Sequence, residues 1–117
     1  MEALDLMKLA VKCADDKKAN DLKVLNITGL TTLADYFVIC HGNSSTQIGA
    51  IFDEIEEKLK EQGVYLNNAG SKDSSQWMLM DYGDVIVHIF TAESREFYGI
   101  ENLWADAEVV DISEFIS

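Results

Sequence analysis

Apolar positions along the chain change their spacing several times, and each change marks a new element. From Glu2 to Asp16, Leu4, Met7, Val11 and Ala14 recur at helical intervals, with Ala3, Ala10 and Cys13 widening the stripe. This predicts a well-buried first helix that ends in the charged turn Asp15-Asp16-Lys17-Lys18. Leu22 to Ile27 has strand composition, and Thr28-Gly29-Leu30-Thr31-Thr32 reads as a loop. The apolar run Tyr36-Phe37-Val38-Ile39-Cys40, set between Asp35 and His41-Gly42, predicts a central strand covered on both faces, and hence a helix on each side of the sheet.

A second helix follows, because Ile48, Ile51, Phe52, Ile55 and Leu59 fall on one helical face and Asp53, Glu54, Glu56, Glu57 and Lys60 on the other. Ser44 and Gln47 have capping-box spacing at its start, and Gly63 stands where a left-handed residue closes a helix. Val64-Tyr65-Leu66-Asn67 predicts a short third strand, and residues 68–75 a polar loop. Trp77 to Asp81 and Val85 to Phe90 flank the turn Asp81-Tyr82-Gly83-Asp84 and predict an antiparallel hairpin. Neither Trp77-Leu79-Asp81 nor Gln76-Met78-Met80 is wholly polar, so the pattern leaves open which face of that strand is core. A short helical tail completes the order α, β, β, α, β, β, β. The expected architecture is a single α/β domain over residues 1–117, with a mixed five-stranded sheet flanked by helices.

The tail from Arg95 to Trp104 concentrates Phe97, Tyr98 and Trp104 among charges. So many rings are hard to bury together in a chain of 117 residues, and aromatic rings beside charges at a surface suit macromolecular docking. The net charge of −12, from 9 basic and 21 acidic residues, repels phosphate backbones. Lys8, Lys12, Lys17, Lys18 and Lys23 are interrupted by Asp15, Asp16 and Asp21, so no basic patch offsets that field. A basic protein is the better partner. No apolar run approaches the ~20 residues that span a bilayer, and the first residues lack the basic-then-apolar order of a signal peptide, so a cytoplasmic protein without membrane attachment is expected. Cys13 and Cys40 lie outside any C-x-x-C pattern and are read as reduced, buried thiols.

No catalytic or metal constellation emerges. His41 and His88 have no ligand spacing with each other or with a carboxylate. His88 reads as a hydrogen-bonded structural residue and His41 as a strand-end residue bonded to backbone. Gly42-Asn43-Ser44-Ser45 joins a strand to a helix start, a turn that can hold an anion or open a nucleotidyltransferase site. Such enzymes also need a strand-borne pair of carboxylates around metal ions, whereas Glu54 and Glu56 lie on a helix with side chains pointing apart. Capping is the simpler reading of the turn, and no cofactor is expected.

Three blocks carry a family resemblance. They are Asp35-Tyr36-Phe37-Val38-Ile39 with Gly42, Ser44 and Gln47; Trp77 with Asp81, Gly83, Asp84 and Val87-His88-Ile89-Phe90; and Arg95, Phe97-Tyr98, Glu101, Leu103-Trp104 and Asp106-Ala107. In this order they resemble the ribosomal silencing factor (RsfS/Iojap) family over nearly the whole chain. Ala69 stands where that family often has Glu, and Ile100 where it has Leu. The resemblance implies a nucleotidyltransferase-like core lacking catalytic acids, in a non-enzymatic factor. It implies docking on large-subunit ribosomal protein L-fourteen, which would block joining of the small subunit and repress translation when nutrients are scarce. A nucleotidyltransferase-like enzyme and a protein-binding adaptor in large-subunit assembly are the alternatives. The candidate partner-binding residues come from the hairpin and the tail: Trp77, Met78, Tyr82, Arg95, Phe97, Tyr98, Glu101, Trp104 and Asp106. A homodimer of the free protein is an alternative use of the same surface.

Overall fold

In a computed structural model that describes residues 1–67 and 77–116, the order is α1 (Ala3–Asp16), β1 (Asn20–Asn26), β2 (Tyr36–Gly42), α2 (Ser45–Glu61), β3 (Trp77–Asp81), β4 (Val85–Thr91), α3 (Ala92–Tyr98), α4 (Ile100–Leu103) and β5 (Glu108–Val109). The sheet runs β3-β4-β2-β1-β5. Only β2 and β4 are parallel, in register from Tyr36↔Val85 to Gly42↔Thr91, and the remaining pairs are antiparallel. The predicted hairpin is present, with Trp77↔Phe90 and Asp81↔Ile86 in register. Its turn is closed by the Tyr82 N–H donating to Val85 O at 3.0 Å, with Gly83 at φ 85° and its N–H held by Asp81 Oδ1.

Strand alternation sorts the side chains into two cores. Val24, Val38, Cys40, Met78, Met80, Val85, Val87 and Ile89 meet α1 and α2 on one face. Leu25, Phe37, Ile39 and Phe90 point to the other, where Trp77, Ile86, Ile100 and Trp104 join them. The open question about β3 is thereby answered: Met78 and Met80 are core under the long helices, and Trp77 and Leu79 are on the opposite face.

Several expectations need correction. Helices do lie on both faces, but unequally: both long helices pack on one, and the other side of the apolar β2 is covered by the one-turn α4 and Trp104. Val64–Asn67 forms no strand; the Asn67 N–H donates to Asp81 O at 2.9 Å. The fifth strand is Glu108–Val109, which pairs with β1 after α4 carries the chain across the sheet. Leu4, counted in the apolar stripe of α1, is exposed, because the buried face of α1 centres on Leu6, Met7, Ala10, Val11, Cys13 and Ala14. The polar loop predicted at 68–75 lies outside the described residues. Cys13 and Cys40 are free and buried, and burial pushes their thiols up to about 11 and about 12. Among the described residues, no helix is long and apolar enough to cross a membrane.

The start of α2 is capped as its sequence predicts. Ser44 Oγ accepts from the Gln47 N–H at 3.1 Å, and Gln47 Oε1 accepts from the Asn43 N–H at 2.7 Å. The Gln47 amide nitrogen also donates to Lys17 O and Lys18 O, tying this turn to the end of α1. Gly63 follows the helix with φ 76°.

Candidate docking surface

The face of the sheet away from α1 and α2 carries a connected set of aromatic rings. Trp77 stacks on Phe90 with centroids 5.1 Å apart, and Tyr98 lies 4.8 Å from Trp77. Phe97 meets Tyr98 edge to face at 5.1 Å. On the other side, His88 lies 5.9 Å from Trp77 and 4.8 Å from Phe37, and Phe37 meets Trp104 edge to face at 5.3 Å. The path Phe97-Tyr98-Trp77-His88-Phe37-Trp104 thus crosses three adjacent strands from α3 to the end of α4. Such a chain forms because β2, β3 and β4 each direct alternate residues to this face, and the short tail helices add rings from above.

Exposure decides which rings could touch a partner. Phe97 is 82% exposed and Tyr98 44%, Trp77 and Trp104 are half-buried, and Phe37, His88 and Phe90 are buried. Asp106 is exposed beside Trp104. Two of the candidate residues from the hairpin sit elsewhere: Met78 and Tyr82 are each 7% exposed and belong to the core under α1 and α2. The reason is the period of the strand, since Met78 is one residue out of phase with Trp77. Burial also holds the Tyr82 hydroxyl well above its ordinary range.

Arg95 and Glu101 are engaged within the molecule. Arg95 is buried; its Nε donates to Glu101 Oε1 at 2.6 Å, and its Nη2 also pairs with that oxygen. Its Nη1 donates to His41 Nδ1 at 3.0 Å and to Asn20 O at 3.4 Å. Lys23 reaches Glu101 Oε2 at 3.5 Å, and exposed Asp21 lies 3.8 Å from the guanidinium. This network clamps α3 and α4 to the ends of β1 and β2 and so holds the platform that displays Phe97 and Tyr98. A guanidinium only donates, so His41 Nδ1 carries a lone pair; burial and the Arg95 charge lower the His41 pKa, against the opposing pull of Asp21 and Glu101. The His41 imidazole is thus bonded to the Arg95 side chain rather than to backbone as the sequence suggested, because Arg95 reaches it from α3; the His41 carbonyl accepts from Asn20 Nδ2 at 3.3 Å.

His88 is a hydrogen-bonded structural histidine, as the sequence suggested. The partner that sequence reasoning missed is Trp77, a diagonal neighbour on the facing strand, since the register sets Trp77 opposite Phe90 and His88 opposite Leu79. Leu103 on α4, next to Trp104, is 76% exposed. The Asn43 and Gln47 N–H groups are taken up by side chains of the same turn, and among the described residues no cluster of His, Cys, Asp or Glu could hold a metal ion.

Fold and surface together define a mixed-sheet α/β domain with one helix-covered face and one aromatic face partly open to solvent. Over residues 1–117 the chain matches the family model described as "Ribosomal silencing factor during starvation". It is 41% identical over 117 residues to ribosomal silencing factor RsfS of Halalkalibacterium halodurans, covering 100% of both chains. With RsfS of Bacillus subtilis it shares 40% over 112 residues, 96% of this chain and 95% of that one. A crystal structure of a Chromobacterium violaceum protein superposes with a TM-score of 0.86 at 35% identity, covering 90% of this chain and 88% of that one. The chain belongs to the ribosomal silencing factor (RsfS) family, named for a regulatory role rather than for a catalysed reaction.

Proposed function

We propose that this protein represses translation in the cytoplasm by docking on the large ribosomal subunit, at large-subunit ribosomal protein L-fourteen, so that the small subunit cannot join. The observation that carries the reading is the half-open aromatic face, with Trp77 on β3 and Tyr98, Phe97 and Trp104 brought to it by α3 and the end of α4, in a chain that belongs to this family. Rings held in place by mutual packing lose little entropy on binding and suit the centre of an interface. Acidic residues on the same tail, including Glu93, Glu96 and Asp106, and the net charge of −12 favour a basic ribosomal protein over bare RNA. Arg95 and Glu101 contribute by holding α3 and α4 in place.

The mechanism is competition. At ~100 times its dissociation constant, a factor bound only to the free large subunit disfavours joining by roughly 2.7 kcal/mol without any chemistry. The test is sedimentation: the protein should travel with isolated large subunits, be absent from joined ribosomes, and reduce joining in proportion to its occupancy. Equal recovery with joined ribosomes would defeat the steric reading. For the free protein, the same face offers a second copy a place to pair, which sedimentation across a range of concentrations would detect.

A further inference from the structure

The parallel strands β2 and β4 end at the same level, at Gly42↔Thr91. From there the chain departs in opposite directions, through Ser44 into α2 on the helix-covered face and through Thr91 into α3, which leads to the aromatic face. A crevice of about 630 Å³ opens where the backbones part, with Asn43, Glu93, Ser94, Phe97 and Tyr98 among its walls. The carboxyl ends of parallel strands, where connections diverge, are where α/β sheets commonly receive ligands.

The chemistry of the walls narrows the occupant. Among the described residues no lysine or arginine lines the crevice and Glu93 is its one charged side chain, so an anion would meet repulsion there. Thr91 Oγ1 donates to Ser94 Oγ at 2.9 Å and accepts from the Ser94 N–H at 3.1 Å, so that N–H at the start of α3 is already taken. Glu93 and Phe97 stand one helical turn apart on the same side of α3. The ring of Phe97 rests on Tyr98, and Tyr98 on Trp77, so the crevice continues the aromatic surface. A carboxylate beside exposed rings suits a cation on an aliphatic stem, the stem lying on the rings and the charge meeting the carboxylate.

We propose that this crevice receives one lysine or arginine side chain of the protein partner, with Glu93 as its counter-ion and Phe97 and Tyr98 as its walls. The inference rests on the docking reading given above and adds to it the chemistry of one subsite. The test measures binding of the full chain to isolated large subunits at ~50 and ~200 mM salt, with melting temperatures recorded for each variant. Glu93→Gln and Phe97→Leu should each weaken binding about tenfold at the lower salt without changing the melting temperature, and the Glu93→Gln loss should shrink at the higher salt. Glu57→Gln, on the outer face of α2, should change affinity less than about twofold. If Glu93→Gln and Phe97→Leu bind like the parent chain while Trp77→Ala does not, the crevice is empty in the complex and only the wider docking reading stands. An equal loss with Glu57→Gln would assign the effect to the overall field and overturn the subsite. Failure of the parent chain to bind large subunits would remove both readings.

Discussion

The indole N–H of Trp77 donates to Nδ1 of His88 at 3.3 Å, across the hairpin and on the open face of the sheet. Because an indole only donates, Nδ1 carries a lone pair and the imidazole proton resides on Nε2. The bond fixes the tilt of the indole, which stays half-buried between Phe90 and Tyr98. A buried neutral histidine thereby orients the central ring of the proposed docking surface.

That arrangement makes stability depend on pH in a defined window. Burial pushes the His88 pKa down to about 4, from an ordinary 6.5. Between these values the unfolded chain binds the extra proton, so the His88 contribution is fully present above pH 6.5 and is lost as pH falls towards 4. The loss is on the order of 3 kcal/mol. Urea midpoints at neutral pH and near pH 5 should differ more for the parent protein than for His88→Gln; identical pH dependence would mean that the imidazole is not held neutral.

Exposed and buried rings should separate on substitution. Tyr98→Ala should leave the melting temperature nearly unchanged while weakening binding to large subunits by ~2 kcal/mol or more. Phe90→Ala removes a fully buried ring from beneath Trp77 and should cost ~3 to 5 kcal/mol of folding stability. If Tyr98→Ala, Phe97→Ala and Trp77→Ala all fold and bind normally, the docking face lies elsewhere.

Glu101→Ala leaves the buried Arg95 guanidinium without its main counter-ion and should destabilise the fold by about 2 kcal/mol. Hydrogen exchange should rise first in α3 and α4, because Arg95 ties both to the ends of β1 and β2. Unchanged protection there, measured by mass spectrometry, would show that aromatic packing alone holds the tail.

Incubation with labelled nucleotides and magnesium or manganese should yield no nucleotidyl transfer. The Asn43 and Gln47 N–H groups in the turn after β2 are bonded to Gln47 and Ser44 side chains, and among the described residues no carboxylate borders the crevice beyond Glu93. Turnover above a protein-free blank would overturn this expectation.

Docking should be strongly salt-dependent, because a chain of net charge −12 meeting a basic partner is steered over a screening length of ~8 Å at physiological ionic strength. Added salt should slow association more than it speeds dissociation. Affinity indifferent to salt would place the acidic surface away from the contact.

The repeat of apolar residues, by itself, determined the local elements. Period 3.6 marked α1 and α2, two apolar runs around the turn Asp81-Tyr82-Gly83-Asp84 marked the hairpin, and Ser44, Gln47, Gly63 and Gly83 marked where elements begin and end, because caps and turns are satisfied by residues close in sequence. The chemical character of the surface was legible too, in the clustering of aromatic and acidic residues from Arg95 to Asp106. Only the tertiary structure decided which face each element shows. It placed both long helices on one side of the sheet, put Met78 and Tyr82 beneath them, and made Glu108–Val109 rather than Val64–Asn67 the fifth strand. It also turned Arg95 and Glu101 inward to each other, although charge and position had suggested contact with a partner. The physical reason is common to all four: a strand offers two faces and a charge many partners, and the choice depends on contacts between residues far apart in the chain, such as Arg95 with Asn20 and His41 or Trp104 with Phe37.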